Sequence, residues 1–496
     1  MIKTESYQKG ILLSTGLNIL AKGIAFANTL IITYFFGTQV QTDLYYYILG
    51  VVALITSVIN GIDLLVLIPE AMRLREQKSE FESQNFLNFF IWLYALIGFL
   101  FAMLAFTCPI FFFSIFSQFD IHALEQHKTI LIIGALFIFF QLLNSLLSSI
   151  LISYKFFTVP ILAGLINSLF TIFFTLVFKS SVGIIGTMQG LLVGYIINLV
   201  LLLFLLIKQI NWKILKIKVC KNGKIWSTIG FMQINMLPVW LRNSTTLFLL
   251  TGLGGGLLTK INLALQVVAI LDVFIVSQII SAVGIKFNEL IAVNDIDGLN
   301  QVFVKTAKVL FIICIPIVII IFFYNIEVVD ILFKRGDFTE NDAKTLCFCL
   351  SFLIFMSPLT TINALGTRII TSLQKINRII IPTICTHLLF LALAYFFIKK
   401  WGITGYLTST IIGYLLIVVL MIVLFKYYFS NIQFFEIIRE LITQLILNII
   451  PAFGIWFLLS KIEMKPLLTL FIASTCQLLI ALGSNFKFLK QNFNLN

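Results

Sequence analysis

Four ionisable residues stand inside apolar runs where charge is expensive: Lys22, Asp63, Arg242 and Asp272. A charge at the centre of a bilayer costs at least about 2.5–3.5 kcal/mol on insertion scales, so such a group faces water, a ligand or an opposite charge. Two chemistries fit these residue types. In one, Lys22 and Arg242 attract an anionic substrate into a polar cavity while Asp63 or Asp272 takes part in ion coupling. In the other, Lys22 with Asp63 and Arg242 with Asp272 form buried ion pairs that hold neighbouring helices. Asn28, Asn60 and Gln266, together with Asn18, Asn167, Gln233 and Asn235, could line the same lumen, yet amides also join helices by hydrogen bonds.

The elements that would position these groups are read from the apolar runs. Of 496 residues, 60% are hydrophobic and 11% charged, with a mean hydropathy of +1.06. That excludes an ordinary soluble domain, in which charged residues are about a quarter of the total. Runs of roughly 20 residues suit helices that cross hydrocarbon. They predict fourteen spans, at 11–36, 44–68, 87–116, 129–153, 157–178, 182–207, 228–252, 257–284, 305–323, 346–370, 379–398, 402–425, 437–459 and 466–483. The first run reads as a span and not a cleaved leader, because Lys22 interrupts it and apolar sequence continues to Phe36.

Sorting the basic residues into alternate connections puts 21 on one side and nine on the other, which predicts cytoplasmic N- and C-termini. The net charge of +13 is then mostly a topology signal, and nucleic acid is not an expected partner. The run "KQINWKILKIKVCKNGKIW" reads as a basic cytoplasmic linker. Lys260 and Arg368 fall near span ends, where long side chains snorkel to the headgroups. Seven cysteines, including the C-x-C pair Cys347 and Cys349, and three scattered histidines show no ligand-like spacing, so no metal, disulfide or cofactor is expected. No connection exceeds roughly 20 residues, which leaves a membrane polymerase or ligase no sizeable loop for its catalytic groups. The chain is read as a non-enzyme.

An internal repeat organises the spans. Gly183, Gly186, Gly194 and Tyr195 match Gly402, Gly405, Gly413 and Tyr414 at one offset of 219. The same offset carries Gly37 to Gly256 and Lys22 to within one residue of Arg242. The expected architecture is an all-α polytopic membrane protein. It comprises an N-terminal six-helix lobe (1–207), a linker (208–227), a C-terminal six-helix lobe (228–425) and two additional transmembrane helices with the tail (426–496). Lobes with an even span count are parallel repeats about an axis along the membrane normal, a plan that creates a cavity between them, as in transporters.

Three stretches resemble the multidrug/oligosaccharidyl-lipid/polysaccharide flippase superfamily, in particular its MurJ (MviN-like) lipid II flippase branch. "FGTQVQTD" is similar to an F-G-x4-T-D turn through Phe36, Gly37, Thr42 and Asp43. "ILFKRGDFTENDA" is similar to an L-F-x-x-G-x-F-T-x-x-D-A segment through Gly336, Phe338, Thr339 and Asp342. The paired proline and G-x-x-G pattern that closes each half is the third. The resemblance, over residues 1 to about 425, implies a flippase of the bacterial inner membrane. Its cargo would be a polyprenyl-diphosphate-linked saccharide carried to the outer leaflet by alternating access, with cavity cations on the diphosphate and cell-envelope synthesis proteins as partners. Lys22 keeps a cation where the branch carries arginine, whereas Asn28, residues 55–57 and Gln266 do not. The cargo is thus lipid II or another lipid-linked glycan, such as an O-antigen or capsule unit. A cation-coupled multidrug exporter of the same superfamily is the alternative within transport.

Overall fold

In hydrocarbon a backbone has no water to bond, so each span must close its own hydrogen bonds as a helix. The computed structural model describes residues 7–214, 223–375, 378–462 and 464–493, and every regular element among them is helical. The chain divides into two compact units, Met1–Thr259 and Lys260–Asn496. The first holds α1 (Tyr7–Phe36), α2 (Val40–Ile62), α3 (Ile68–Gln77), α4 (Glu80–Thr107), α5 (Pro109–Ser114), α6 (Ile121–Gln126), α7 (Lys128–Ser153), α8 (Val159–Phe178), α9 (Ile184–Ile210) and α10 (Gly223–Thr251). α11 (Leu257–Leu271) opens at the end of the first unit. The second unit continues with α12 (Ser277–Ala292), α13 (Ile296–Phe323), α14 (Asn325–Leu332), α15 (Glu340–Leu353), α16 (Met356–Ser372), α17 (Ile380–Tyr428), α18 (Phe434–Leu459), α19 (Pro466–Ser484) and α20 (Phe486–Phe493). Residues 215–222 of the expected linker lie outside the described residues.

Among the described residues, twelve helical stretches are long and apolar enough to cross a bilayer, where fourteen were expected. The difference has two sources. α10 carries Gln233, Asn235 and Arg242 in its middle and Pro238 inside it, and it is not among the twelve. α17 fuses two expected spans into 49 residues, but Gly402 breaks it at φ 56°, ψ −128°. At 1.5 Å per residue its length would be about 74 Å, more than twice a hydrocarbon core.

The repeat is written into the backbone. Gly183 has φ 63°, ψ −142°, the same region as Gly402 and one essentially closed to residues with a Cβ. Beyond each break, small residues spaced by four let two helices touch backbone to backbone. On α9, a Cβ at Gly186 would lie 2.9 Å from Phe178 Cβ, at Gly190 2.7 Å from the Phe170 carbonyl oxygen, and at Gly194 2.8 Å from Asn167 Cα. On α17, Gly405, Ser409 and Gly413 occupy the corresponding places, and a Cβ at Gly405 would meet the Phe397 carbonyl oxygen at 1.9 Å. Gly190 and Ser409 extend the stripe that the sequence comparison found at four positions.

Buried and half-buried amides act as glue in both units. Asn198 donates to the Ala163 carbonyl at 2.6 Å and to Asn167, joining α9 to α8. Gln233 donates to the Val58 carbonyl at 2.7 Å, joining α10 to α2. α18 is joined to Asn485, the cap that follows α19, by a reciprocal Gln444–Asn485 amide pair, 2.8 and 3.1 Å, and to α19 itself by Gln477 donating to Asn448. Each such bond contributes roughly 0.6 kcal/mol between membrane helices, so the ladder matters as a set.

Replacing Gly402 or Gly183 by alanine forces a Cβ into a glycine-only conformation and should cost about 1–3 kcal/mol each. Gly405→Ala, with its backbone clash, should be worse. Thermal unfolding of the purified protein checks this, and unchanged midpoints would contradict the account.

Candidate functional site

The residues expected to do chemistry fall into three environments. Lys22 lies on α1 and is exposed. Arg242, on α10, is half-buried, and its Nε and Nη2 donate to Asn243 Oδ1 at 3.1 and 2.9 Å. Asn28, a turn and a half beyond Lys22, buries its Oδ1 without a partner. Asn60 lies on α2 with its side chain outside the described residues, and Gln266 is half-buried on α11.

The mid-span acids are held by hydroxyl groups. Asp63 is fully buried and accepts a 2.6 Å hydrogen bond from the Tyr94 hydroxyl of α4, while its second oxygen is buried without a partner. Asp63 and Lys22 are not joined, so the ion-pair alternative for these two residues fails among the described residues. Ser357 and Thr360 of α16 donate to Asp272 at 3.2 Å each. Pro358 falls in the first turn of α16, where no backbone donor is required.

A feature invisible to periodicity unites the two acids. Each heads a five-residue π-helical turn, Asp63–Leu67 and Asp272–Val276, in which the aspartate carbonyl accepts from the amide five residues on, Ile68 and Ser277. Such wide turns are rare and frequent at functional sites. The sequence carries no signal for them beyond the acids themselves.

The acids of the family-like turns do something else. Asp43 is fully buried and accepts from the Gly256 amide at 2.6 Å and from the Thr259 amide and hydroxyl at 2.7 and 2.6 Å. It therefore caps the N-terminus of α11, where free amides favour a carboxylate. Gly37 and Gly256 sit at φ 55° and 80°, and a Cβ at Gly256 would strike the Thr38 carbonyl oxygen at 2.2 Å.

In the second unit Gly336 turns the chain at φ 62°, Phe338 packs on Phe333, and Thr339 with Asp342 forms a capping box that starts α15. Asp342 also receives Lys260 Nζ at 2.8 Å, and both residues are buried. Lys260 thus does not snorkel to a membrane surface as its place near a span end suggested. A partner 82 residues away in sequence captures it.

Together these features define a membrane transporter built of helical halves, with ionisable groups held inside the spans. Among solved structures, the chain is similar to a lipid II flippase MurJ in an inward closed conformation, with TM-score 0.77 and 17% identity over 96% of this chain and 100% of that one. It is also similar to an inward-facing multidrug resistance MATE family transporter, with TM-score 0.61 and 15% identity over 86% and 98%. A MOP superfamily transporter from Pyrococcus furiosus gives 0.58 and 14% over 84% and 94%. At these identities the likenesses establish the fold. No curated protein matches the sequence. The family described as "Lipid II flippase MurJ" matches residues 32–476, and the chain belongs to that family. It is a multi-pass membrane protein of a transporter family, not an enzyme.

Lys260→Met should destabilise the protein by about 3–5 kcal/mol, because it leaves a buried carboxylate uncompensated. Adding Asp342→Asn should recover part of that loss. Thermal unfolding of the two variants measures both effects, and a double variant no better than K260M would overturn the pairing.

Proposed function

We propose that the chain moves a polyprenyl-diphosphate-linked saccharide, lipid II or a related lipid-linked glycan, from the inner to the outer leaflet of the bacterial cytoplasmic membrane by alternating access. One observation carries the reading beyond family membership. Lys22 is a mid-span cation that is exposed and makes no ion pair with Asp63, the acid on the neighbouring span. A cation so placed in an apolar slab is stabilised by water or by an anionic ligand. A diphosphate supplies that anion, and phosphate oxygens form short charge-assisted hydrogen bonds with ammonium and guanidinium groups.

Lys22 and Arg242 divide the work by geometry. Lys22 acts as a compact point charge that admits the diphosphate, and Arg242 offers a planar fork that fixes it. Asn28 and Gln266 contribute neutral donors where other branch members carry arginine, which suits a saccharide with less charge near its diphosphate. Asp63 and Asp272, each on a widened turn and held by hydroxyls, serve the coupling ion. The sequence has no G-x4-G-K-[ST] loop, so an ion gradient or the membrane potential drives transport. Both termini lie in the cytoplasm, where synthesis enzymes deliver the cargo. A multidrug exporter for cationic compounds is disfavoured, since the exposed mid-span charge is itself positive.

Losing a charge-assisted contact costs about 1.5–3 kcal/mol, or roughly 10- to 100-fold. The Lys22→Gln, Arg242→Gln double variant should therefore trap lipid-linked precursor on the cytoplasmic side of a depletion strain by at least tenfold. A leaflet-accessibility assay reads this directly, and wild-type translocation by the double variant would sink the cavity role.

A further inference from the structure

Arg368 lies one turn before the end of α16, and its place near a span end predicts a side chain reaching freely for the headgroups. It does otherwise. The guanidinium folds back on α12, where a Cβ on Gly284 would lie 1.9 Å from Nε and 2.2 Å from Nη2. The group rests on the bare Cα of that glycine, and its Nε is buried with no acceptor. One turn further, the Ser372 hydroxyl is also buried and unpartnered. Two adjacent unused hydrogen-bonding groups, one of them cationic, are unusual, because buried polar atoms are normally satisfied.

Both residues line one cavity of about 360 Å³ at the ends of α12 and α16, with Arg368 Nε and Ser372 Oγ buried behind its wall. Its polar lining is Asn288, Arg368, Thr371, Ser372 and Gln374, completed by Ile291 and Ala292. All five can donate a hydrogen bond, none is a carboxylate and Arg368 is cationic, so the lining favours an acceptor-rich anion over a cation. The nearest acid on α12, Glu289, is already paired with Lys286 at 2.9 Å. Helix C-termini ordinarily oppose anions. Here their carbonyls are taken up by left-handed caps, with Lys375 N donating to Ile370 O beyond Gln374 and Asp295 N donating to Leu290 O beyond Asn294. The volume lies at the small end of ligand pockets, matching a headgroup and not a folded peptide.

We propose that this pocket binds the phosphate of an anionic lipid, with the Arg368 guanidinium and the Ser372 hydroxyl as its principal donors. The phosphate comes either from a bilayer phospholipid or from the cargo diphosphate, and only the second source rests on the flippase reading. Gly284 is the positioning residue, since any side chain there expels the guanidinium.

The test is native mass spectrometry of the detergent-solubilised full chain, titrated separately with phosphatidylglycerol and undecaprenyl diphosphate. Arg368→Gln should weaken adduct formation at least about tenfold, the loss of a charge-assisted contact. Gly284→Ala should do the same with the charge retained, and Arg368→Lys should fall between, having lost the fork. Loss with both lipids supports a general phosphate site. Loss with phosphatidylglycerol alone assigns it to the bilayer, and loss with the diphosphate alone assigns it to the cargo. If R368Q does not elute as a folded monodisperse species, R368K and Ser372→Ala decide by the same criterion. Unchanged affinity for both lipids in the folded variants overturns the proposal. The phosphatidylglycerol arm does not depend on transport, so failure of the flippase reading leaves it intact.

Discussion

A carboxylate taken out of water must be surrounded by donors, and the way this chain meets that requirement sorts its acids into two kinds. Asp43 accepts three hydrogen bonds from the start of α11, and Asp342 closes a capping box while receiving Lys260. These two are saturated, so they fix helix ends and have nothing left to offer a ligand. Asp63 has one partner for two oxygens, and Asp272 has only neutral hydroxyls. Unsaturated acids at mid-span are costly to keep, which is why the proposed function places the coupling ion on them. The same reasoning separates the cations, since Lys260 is consumed by a partner and Lys22 is exposed.

Around these charges the packing relies on closeness instead of the hydrophobic effect, which lipid tails cancel. The α8–α9 hairpin and its counterpart within α17 each use a glycine break followed by small residues every fourth position. The result is a pair of stiff, thin hairpins, one in each unit. Amides supply the remaining specificity, with Asn167 and Asn198 in the first unit and the Gln444, Asn448, Gln477 and Asn485 ladder in the second. Asn167, which could as well have lined a lumen, is buried and bonded to Asn198.

What the sequence made legible follows from local rules. Hydropathy located most spans, and the offset of 219 paired Gly183 with Gly402, which the structure shows to be matching backbone breaks in a region that only glycine reaches without strain. Long-range pairing was not legible. Lys260 sits where a snorkelling lysine would, and nothing near it in sequence announces Asp342. Arg368 likewise looked peripheral because the glycine that receives it lies on another helix. α10 was expected as an apolar span, yet its polar centre sets it apart from the twelve helices that meet the length and composition of a crossing. Of the candidate site, residue types were readable and their partners were not.

The widened turns at Asp63 and Asp272 carry one more implication. A π turn holds one residue more than the α-helix it interrupts, so the faces of the helix before and after it are out of phase by about 100°, one residue's rotation. α3 and α12 therefore present different sides from those that a continuous wheel drawn through α2 or α11 would give them. A chain shortened by one residue within 63–67 would regain an unbroken α-helix and keep the orientation of everything downstream. The extra residue is thus absorbed within the turn, and Glu70, Arg73 and Arg75 keep the directions that an α-helix one residue shorter would give them.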